Sequence, residues 1–302
     1  MRVGVSLTSR YDVDDHAVGA RWMIERADAA ARAGLDHLSI GDHHAEPVPY
    51  YQNVPMLGRL LAEWPSERPA GCLFLVPLWH PVLMAEQIGT LAAVHGGPFI
   101  VQTGLGGGHR QFAAMGRSIE RRVGDLTEGL RVVQALLAGE TVSSERFGIG
   151  DATIAPRPPD VVEWWIGASV PAAIERAARW SGTWYAGPHT TVDVGREGAD
   201  QFLAACAAAG RAPERLVIRQ DVLVAATDAD AERLAGPVLE AGYRGFGREL
   251  LGIGSVETVT ERFAAYAAVG FTDVSVRQIS VPQPAALESI ALLGEVQAAL
   301  SR

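Results

Sequence analysis

Lysine is absent. All 26 basic residues are arginine, so the chain has neither a Schiff-base lysine nor the lysine of a Walker-type phosphate loop. Cysteine is scarce: Cys72 lies in an apolar, strand-like run and Cys206 in an alanine-rich helical one. Their spacing suits neither a metal site nor a disulfide framework, and both read as buried free thiols. No stretch approaches the roughly 20 uncharged apolar residues of a membrane helix. The opening run, Met1-Arg2-Val3-Gly4-Val5-Ser6-Leu7, lacks the apolar length and cleavage pattern of a signal peptide. A cytoplasmic protein without a membrane partner is the expectation. Dense basic runs are also missing and the net charge is −9, which argues against nucleic acid as a partner. Neither a G-x-S-x-G elbow nor an H-E-x-x-H zinc motif occurs.

What is present is alternation. Short β-rich runs, punctuated by Gly and Pro, are each followed by a longer run with helical spacing. The pattern predicts eight strands, at 3–7, 37–40, 72–76, 99–103, 162–166, 183–185, 217–224 and 273–276. The predicted helices cover 17–33, 54–63, 81–95, 119–137, 171–180, 198–209, 231–241, 256–269 and 285–299. Pro81 and Pro171 suit a first helical turn, where a missing N–H costs nothing. Eight strand–helix units are the count of a (β/α)₈ TIM barrel, with a doubly wound open sheet as the alternative. At 302 residues the chain fits a single such domain, since barrels of about 250 residues fold as one unit. Two stretches, 138–161 and 242–255, are too long for tight turns and read as insertion loops.

Reactive residues in such a barrel stand at the C-terminal ends of its strands. The second strand is followed by Gly41-Asp42-His43-His44-Ala45-Glu46, three proton-transfer groups in a row. An imidazole can move a proton near neutral pH, and a neighbouring carboxylate can fix its tautomer. The third strand leads to Trp79 and His80, and Trp79, Trp165 and Trp184 are candidate apolar walls or core residues. The fourth is followed by Gly104-Leu105-Gly106-Gly107-Gly108-His109, a loop whose backbone can approach a phosphate or a flat ring closely. It is not a dinucleotide fingerprint, because His109 replaces the third glycine and the candidate acids Asp125 and Glu128 fall within a helical run. After the fifth strand, Gly167-Ala168-Ser169-Val170-Pro171 opens a helix and can bind an anion, with Ser169 as N-cap or ligand. Arg219 and Asp221 share a strand face by period-two counting, and with Arg277 and Gln278 they read as structural. A metal-dependent hydrolase drawing on His43, His44, His80, His109 and His189 is the competing reading, although no metal-ligand spacing supports it.

Four segments taken together resemble the luciferase-like superfamily of flavin-dependent oxidoreductases. They are Gly34-Leu35-Asp36-His37-Leu38-Ser39-Ile40-Gly41-Asp42-His43-His44, the run from Val76-Pro77-Leu78-Trp79-His80-Pro81 to Gln87, Phe99 to His109, and Trp165 to Arg179. The match covers roughly residues 1–190. The resemblance implies a barrel with a flavin across its C-terminal mouth. It makes His43 the active-site histidine, tuned by His44 and Asp42, and places a non-proline cis peptide within 72–76 under the flavin. Leu73, Gln102, Gly104, Gly106, Gly107, Ser169 and Val170 would contact the cofactor. The activity implied is a two-component monooxygenase that uses reduced FMN, delivered by a separate flavin reductase, and O₂ on a small organic substrate. The alternatives are hydride transfer with the deazaflavin coenzyme F-420, or a flavin-binding barrel without turnover. Asp42-His43 is common among deazaflavin members, whereas Glu-His-His is the luciferase pattern. Deazaflavin-dependent sugar-phosphate dehydrogenases place a glutamate where this chain has Gly107, which argues against that reaction. A homodimer or higher homo-oligomer is implied as well.

Overall fold

The computed structural model describes residues 1–301. Its parallel strands are β1 (Arg2–Leu7), β2 (Leu38–Ile40), β3 (Ala70–Leu75), β4 (Phe99–Gly104), β7 (Val162–Gly167), β8 (Thr183–Ala186), β9 (Arg215–Val224) and β11 (Asp273–Gln278). A short antiparallel hairpin, β5 (Val142–Ser144) and β6 (Ile149–Ala152), and a short strand β10 (Leu251–Gly254) complete the set. The helices are α1 (His16–Arg32), α2 (Asn53–Leu60), α3 (Pro81–His95), α4 (His109–Ala114), α5 (Arg122–Ala138), α6 (Pro171–Trp180), α7 (Val192–Ala208), α8 (Asp228–Glu240), α9 (Val256–Ala268) and α10 (Gln283–Leu300). The main sheet runs β10-β9-β11-β1-β2-β3-β4-β7-β8, and β8 pairs again with β9. That second pairing closes eight parallel strands into a (β/α)₈ barrel, with β10 as an extra strand along the end of β9.

All eight predicted strands are found, each within a few residues of its expected bounds. The differences lie where short polar signals act. Helix α7 starts at Val192 rather than residue 198 because the Thr191 hydroxyl caps it, accepting the Val194 N–H at 3.4 Å. Helix α8 likewise starts at Asp228, where Thr227 accepts the Asp230 N–H at 3.1 Å. The loop expected at 138–161 contains the β5–β6 hairpin, and that at 242–255 contains β10. The cis peptide expected within 72–76 is not found. Among the described residues the cis bond is Ala155–Pro156, and Leu75 instead turns at φ −78, ψ 78 with its N–H held by Asp42.

The chain divides into two compact units. The first comprises 1–8, 17–39 and the chain from Trp165 onward. Its core joins Val3 and Val5 of β1, Met23 and Ala27 of α1, Val274 and Val276 of β11, and Ile290 and Leu293 of α10, all fully buried. Close approach fixes one glycine there, since a Cβ on Gly4 would lie 2.2 Å from the His37 ring, which packs edge-on against Trp165. The second unit comprises 9–16 and 40–164. In it β3 and β4 pair in parallel, with Leu73 opposite Gln102 and Leu75 opposite Gly104. Side chains alternate along a strand, so these four residues share one face.

Candidate active site

The segment after β2 is built around Asp42, whose side chain is fully buried. A buried carboxylate needs donors, and three groups of the second unit reach it. Oδ2 accepts the Leu75 N–H at 2.7 Å and the Trp79 indole N–H at 2.8 Å, while His44 Nε2 stands 3.1 Å from Oδ1. The last contact is off hydrogen-bond alignment, so Oδ1 and Nε2 are buried atoms without an aligned partner. Trp79, expected as an apolar wall, is thus also a donor. It packs edge-on against His44 at 5.6 Å and Phe74 at 5.1 Å between ring centroids.

The two histidines are sorted by environment. His44 is only 12% exposed and faces Asp42, whereas His43 is 54% exposed with Nδ1 3.3 Å from Glu46 Oε1. The buried carboxylate therefore faces His44, and His43 has Glu46 as its acid. Directly after them Ala45 takes φ 53, the left-handed region that costs a non-glycine residue roughly 1–2 kcal/mol. Ala45→Gly removes that strain and adds glycine's larger folding entropy. A net gain of up to about 1 kcal/mol is expected in urea unfolding.

Gln111 of α4 had no sequence signal, yet it ties this segment to the glycine loop. Its Oε1 accepts the His44 backbone N–H at 2.8 Å and its Nε2 donates to the Gly107 carbonyl at 3.2 Å. Gln111→Leu leaves the His44 N–H unpaired and is expected to cost about 1–3 kcal/mol in the same assay.

Gln102 is 2% exposed, and its Nε2 has no hydrogen-bond partner. On the same strand face Leu73 is partly exposed, and its carbonyl is held by Asn53 Nδ2 at 2.7 Å. Gly106 has φ 70, and at Gly107 a Cβ would meet nothing within 4 Å. An unsatisfied amide donor, a leucine side chain and an open glycine backbone suit a flat, carbonyl-bearing ring such as a flavin or deazaflavin, and the residues present fit that group. In the first unit the N-cap of α6 is Val170, extended at φ −133, ψ 152, and no side chain caps it. Ser169 is therefore not the cap, because Pro171 takes the first helical position and puts the cap one residue later than expected. Both Ser169 and Val170 are exposed. Trp165 and Trp184 are core residues, and the Trp184 indole donates to the Ala168 carbonyl at 3.0 Å. Among the described residues no three His, Cys, Asp or Glu side chains are grouped to hold a metal, and no helix is long and apolar enough to cross a membrane.

A parallel barrel with a buried carboxylate and two histidines after its second strand has the make-up of an enzyme. The chain matches the luciferase-like monooxygenase family over residues 1–249 and belongs to it. The F420-dependent glucose-6-phosphate dehydrogenase of Microbacterium testaceum is 28% identical over 192 residues, 58% of this chain and 55% of that protein. The chain spans about half the length of the curated relatives it matches. Among solved structures, the monooxygenase RslO1 from Streptomyces bottropensis superposes with a TM-score of 0.88 at 18% identity, over 100% of both chains. The oxygenating constituent of 3,6-diketocamphane monooxygenase from Pseudomonas putida, in complex with FMN, does so with a TM-score of 0.79 at 18% identity, over 99% of this chain and 98% of that one.

Proposed function

We propose that this chain is a coenzyme F-420-dependent oxidoreductase that transfers hydride to or from a small organic substrate. The observation that carries this reading is the Asp42-His43 pair, the deazaflavin pattern, on a chain whose relative at 28% identity is F420-dependent. Bound F-420 supplies a ring carbon that accepts or returns a hydride. Leu73, Gln102, Gly104, Gly106 and Gly107 are the residues proposed to hold the ring, and Ser169 with Val170 is a proposed anion contact. Asp42 stands beside His44 Nε2, and Nδ1 is the ring nitrogen proposed to give or take the substrate's proton. His43, more exposed and paired with Glu46, is proposed as the second proton carrier. Sugar-phosphate oxidation itself is not proposed, because Gly107 stands where those enzymes place their glutamate.

The second reading is the monooxygenase, with reduced FMN from a separate reductase, and the family match favours it. Anaerobic turnover of F-420 with a panel of secondary alcohols and 2-hydroxy acids tests the first. We expect at least one substrate to bleach the deazaflavin absorbance without O₂. His44→Ala is expected to lower kcat by about 10²-fold or more while F-420 affinity is kept. Turnover that requires both O₂ and reduced FMN would move the chain to the second reading.

A further inference from the structure

Strands β9 and β11 carry a cluster that the proposed reaction does not use. Arg219 and Asp221 share one face of β9, and Arg277 of β11 is in register with Asp221. Asp221 is fully buried and carries three partners. Its Oδ1 accepts from Arg219 Nη2 at 2.8 Å, and its Oδ2 from Arg244 Nη1 and from the Tyr243 hydroxyl at 2.9 Å each. Arg277 donates to Thr8 Oγ1 at 3.1 Å and pairs with no carboxylate among the described residues. Three guanidinium groups therefore gather around one carboxylate, which pairs with the partly buried Arg219 and the exposed Arg244, and the cluster carries more positive than negative charge. Buried cations are normally paired. Arg277 itself is partly buried, and burial together with the Arg219 and Arg244 charges draws its pKa down to about 10, so it stays charged at neutral pH.

The backbone brings the third arginine in at a cost. Arg244 takes φ 51, ψ 17 within Gly242-Tyr243-Arg244-Gly245-Phe246-Gly247, a conformation that non-glycine residues seldom adopt. Its guanidinium also lies 5.0 Å over the Phe246 ring. A planar fork of donors matches the two oxygens of a carboxylate or phosphate.

We propose that Arg277, flanked by Arg219 and Arg244, is an oxyanion subsite for a carboxylate or phosphate, with Asp221 as the fixed counter-ion that spaces the guanidinium groups. Read with the proposed oxidoreductase, and resting on that reading, the subsite makes the substrate an organic anion. Inorganic phosphate and acetate, each titrated against the cofactor-free protein at constant ionic strength with chloride as control, test it by calorimetry. Saturable binding of one or both is expected, weakened at least tenfold in Arg277→Gln and less in Arg277→Lys, with circular dichroism unchanged. Binding that does not saturate, or that is equal in wild type and Arg277→Gln, overturns the subsite. Repeating the titration with F-420 bound separates the sources of the anion. Undiminished phosphate binding supports a substrate group, and competition by F-420 overturns that assignment in favour of the cofactor's own phosphate. The first titration contains no cofactor, so it stands or falls independently of F-420 binding.

Discussion

Asp42→Ala is expected to lower the unfolding free energy by about 3–5 kcal/mol, the cost of breaking a buried charged network on one side. The carboxylate is fully buried, and its removal orphans the Leu75 N–H and the Trp79 indole N–H while leaving His44 Nε2 facing a void. The urea midpoint should fall with the m-value unchanged, as for a local loss in a two-state unfolding. Asp42→Asn separates packing from charge. Its amide oxygen can still accept from Leu75 and Trp79, but its NH₂ then faces His44 and favours the tautomer protonated on Nδ1. Stability should fall by less than in the alanine variant, while kcat falls about 10²-fold or more with KM unchanged. A loss below about 1 kcal/mol in Asp42→Ala would mean that Asp42 does not organise the site.

The second large effect is at Asp221, and its sign reverses at the neighbouring arginine. Asp221→Ala leaves Arg219 and Arg244 without their shared carboxylate and Arg277 without a neighbouring negative charge, and a loss of about 3–5 kcal/mol is expected. Arg277→Gln removes an unmatched charge and is expected to stabilise the cofactor-free protein, by about 1–2 kcal/mol on the usual cost of burying an unpaired group. In the double variant the two changes should couple by about 0.5–3 kcal/mol, because the groups share one cluster. The pH dependence follows from the carboxyl. Burial pushes its pKa up, but the Arg219, Arg244 and Arg277 charges outweigh that and hold it below the usual carboxylate range. A native pKa below the unfolded value gives stability that is present above about pH 4 and is lost as pH falls through the lowered native value. In Asp221→Asn the acid limb of the stability curve should flatten. Chemical denaturation across a window of about four pH units, from about pH 2 to about pH 6 around the unfolded carboxyl, reads both effects.

The barrel was legible in the sequence because its signals are repeated and local. Most strands are short apolar runs closed by Gly or Pro, and most helices carry their own spacing and start. What escaped is short and held by tertiary contacts. Helix α4 has six residues and depends on Gln111 bridging two loops. Strand β10, Leu-Gly-Ile-Gly, has low strand propensity and forms through its pairing with β9. In the site, the string Asp42-His43-His44 was legible as proton-transfer chemistry, but the partner of each imidazole was not. Which ring turns toward Asp42 depends on a backbone that bends at Ala45, and no residue pattern encodes that bend. Arg219 and Asp221 could be placed on one face by counting alone. Arg244 and Arg277 join them only through the strained glycine-rich turn and the register of β11 on β9, both of which act across long stretches of chain.

The central claim is the cofactor, and anaerobic titration of the purified protein with F-420 and, separately, with reduced FMN tests it most directly. Saturable quenching of F-420 fluorescence, weakened in Gln102→Leu and retained in His44→Ala, is the predicted result, with reduced FMN binding at least tenfold more weakly. Tight binding of reduced FMN with no binding of F-420 would contradict it.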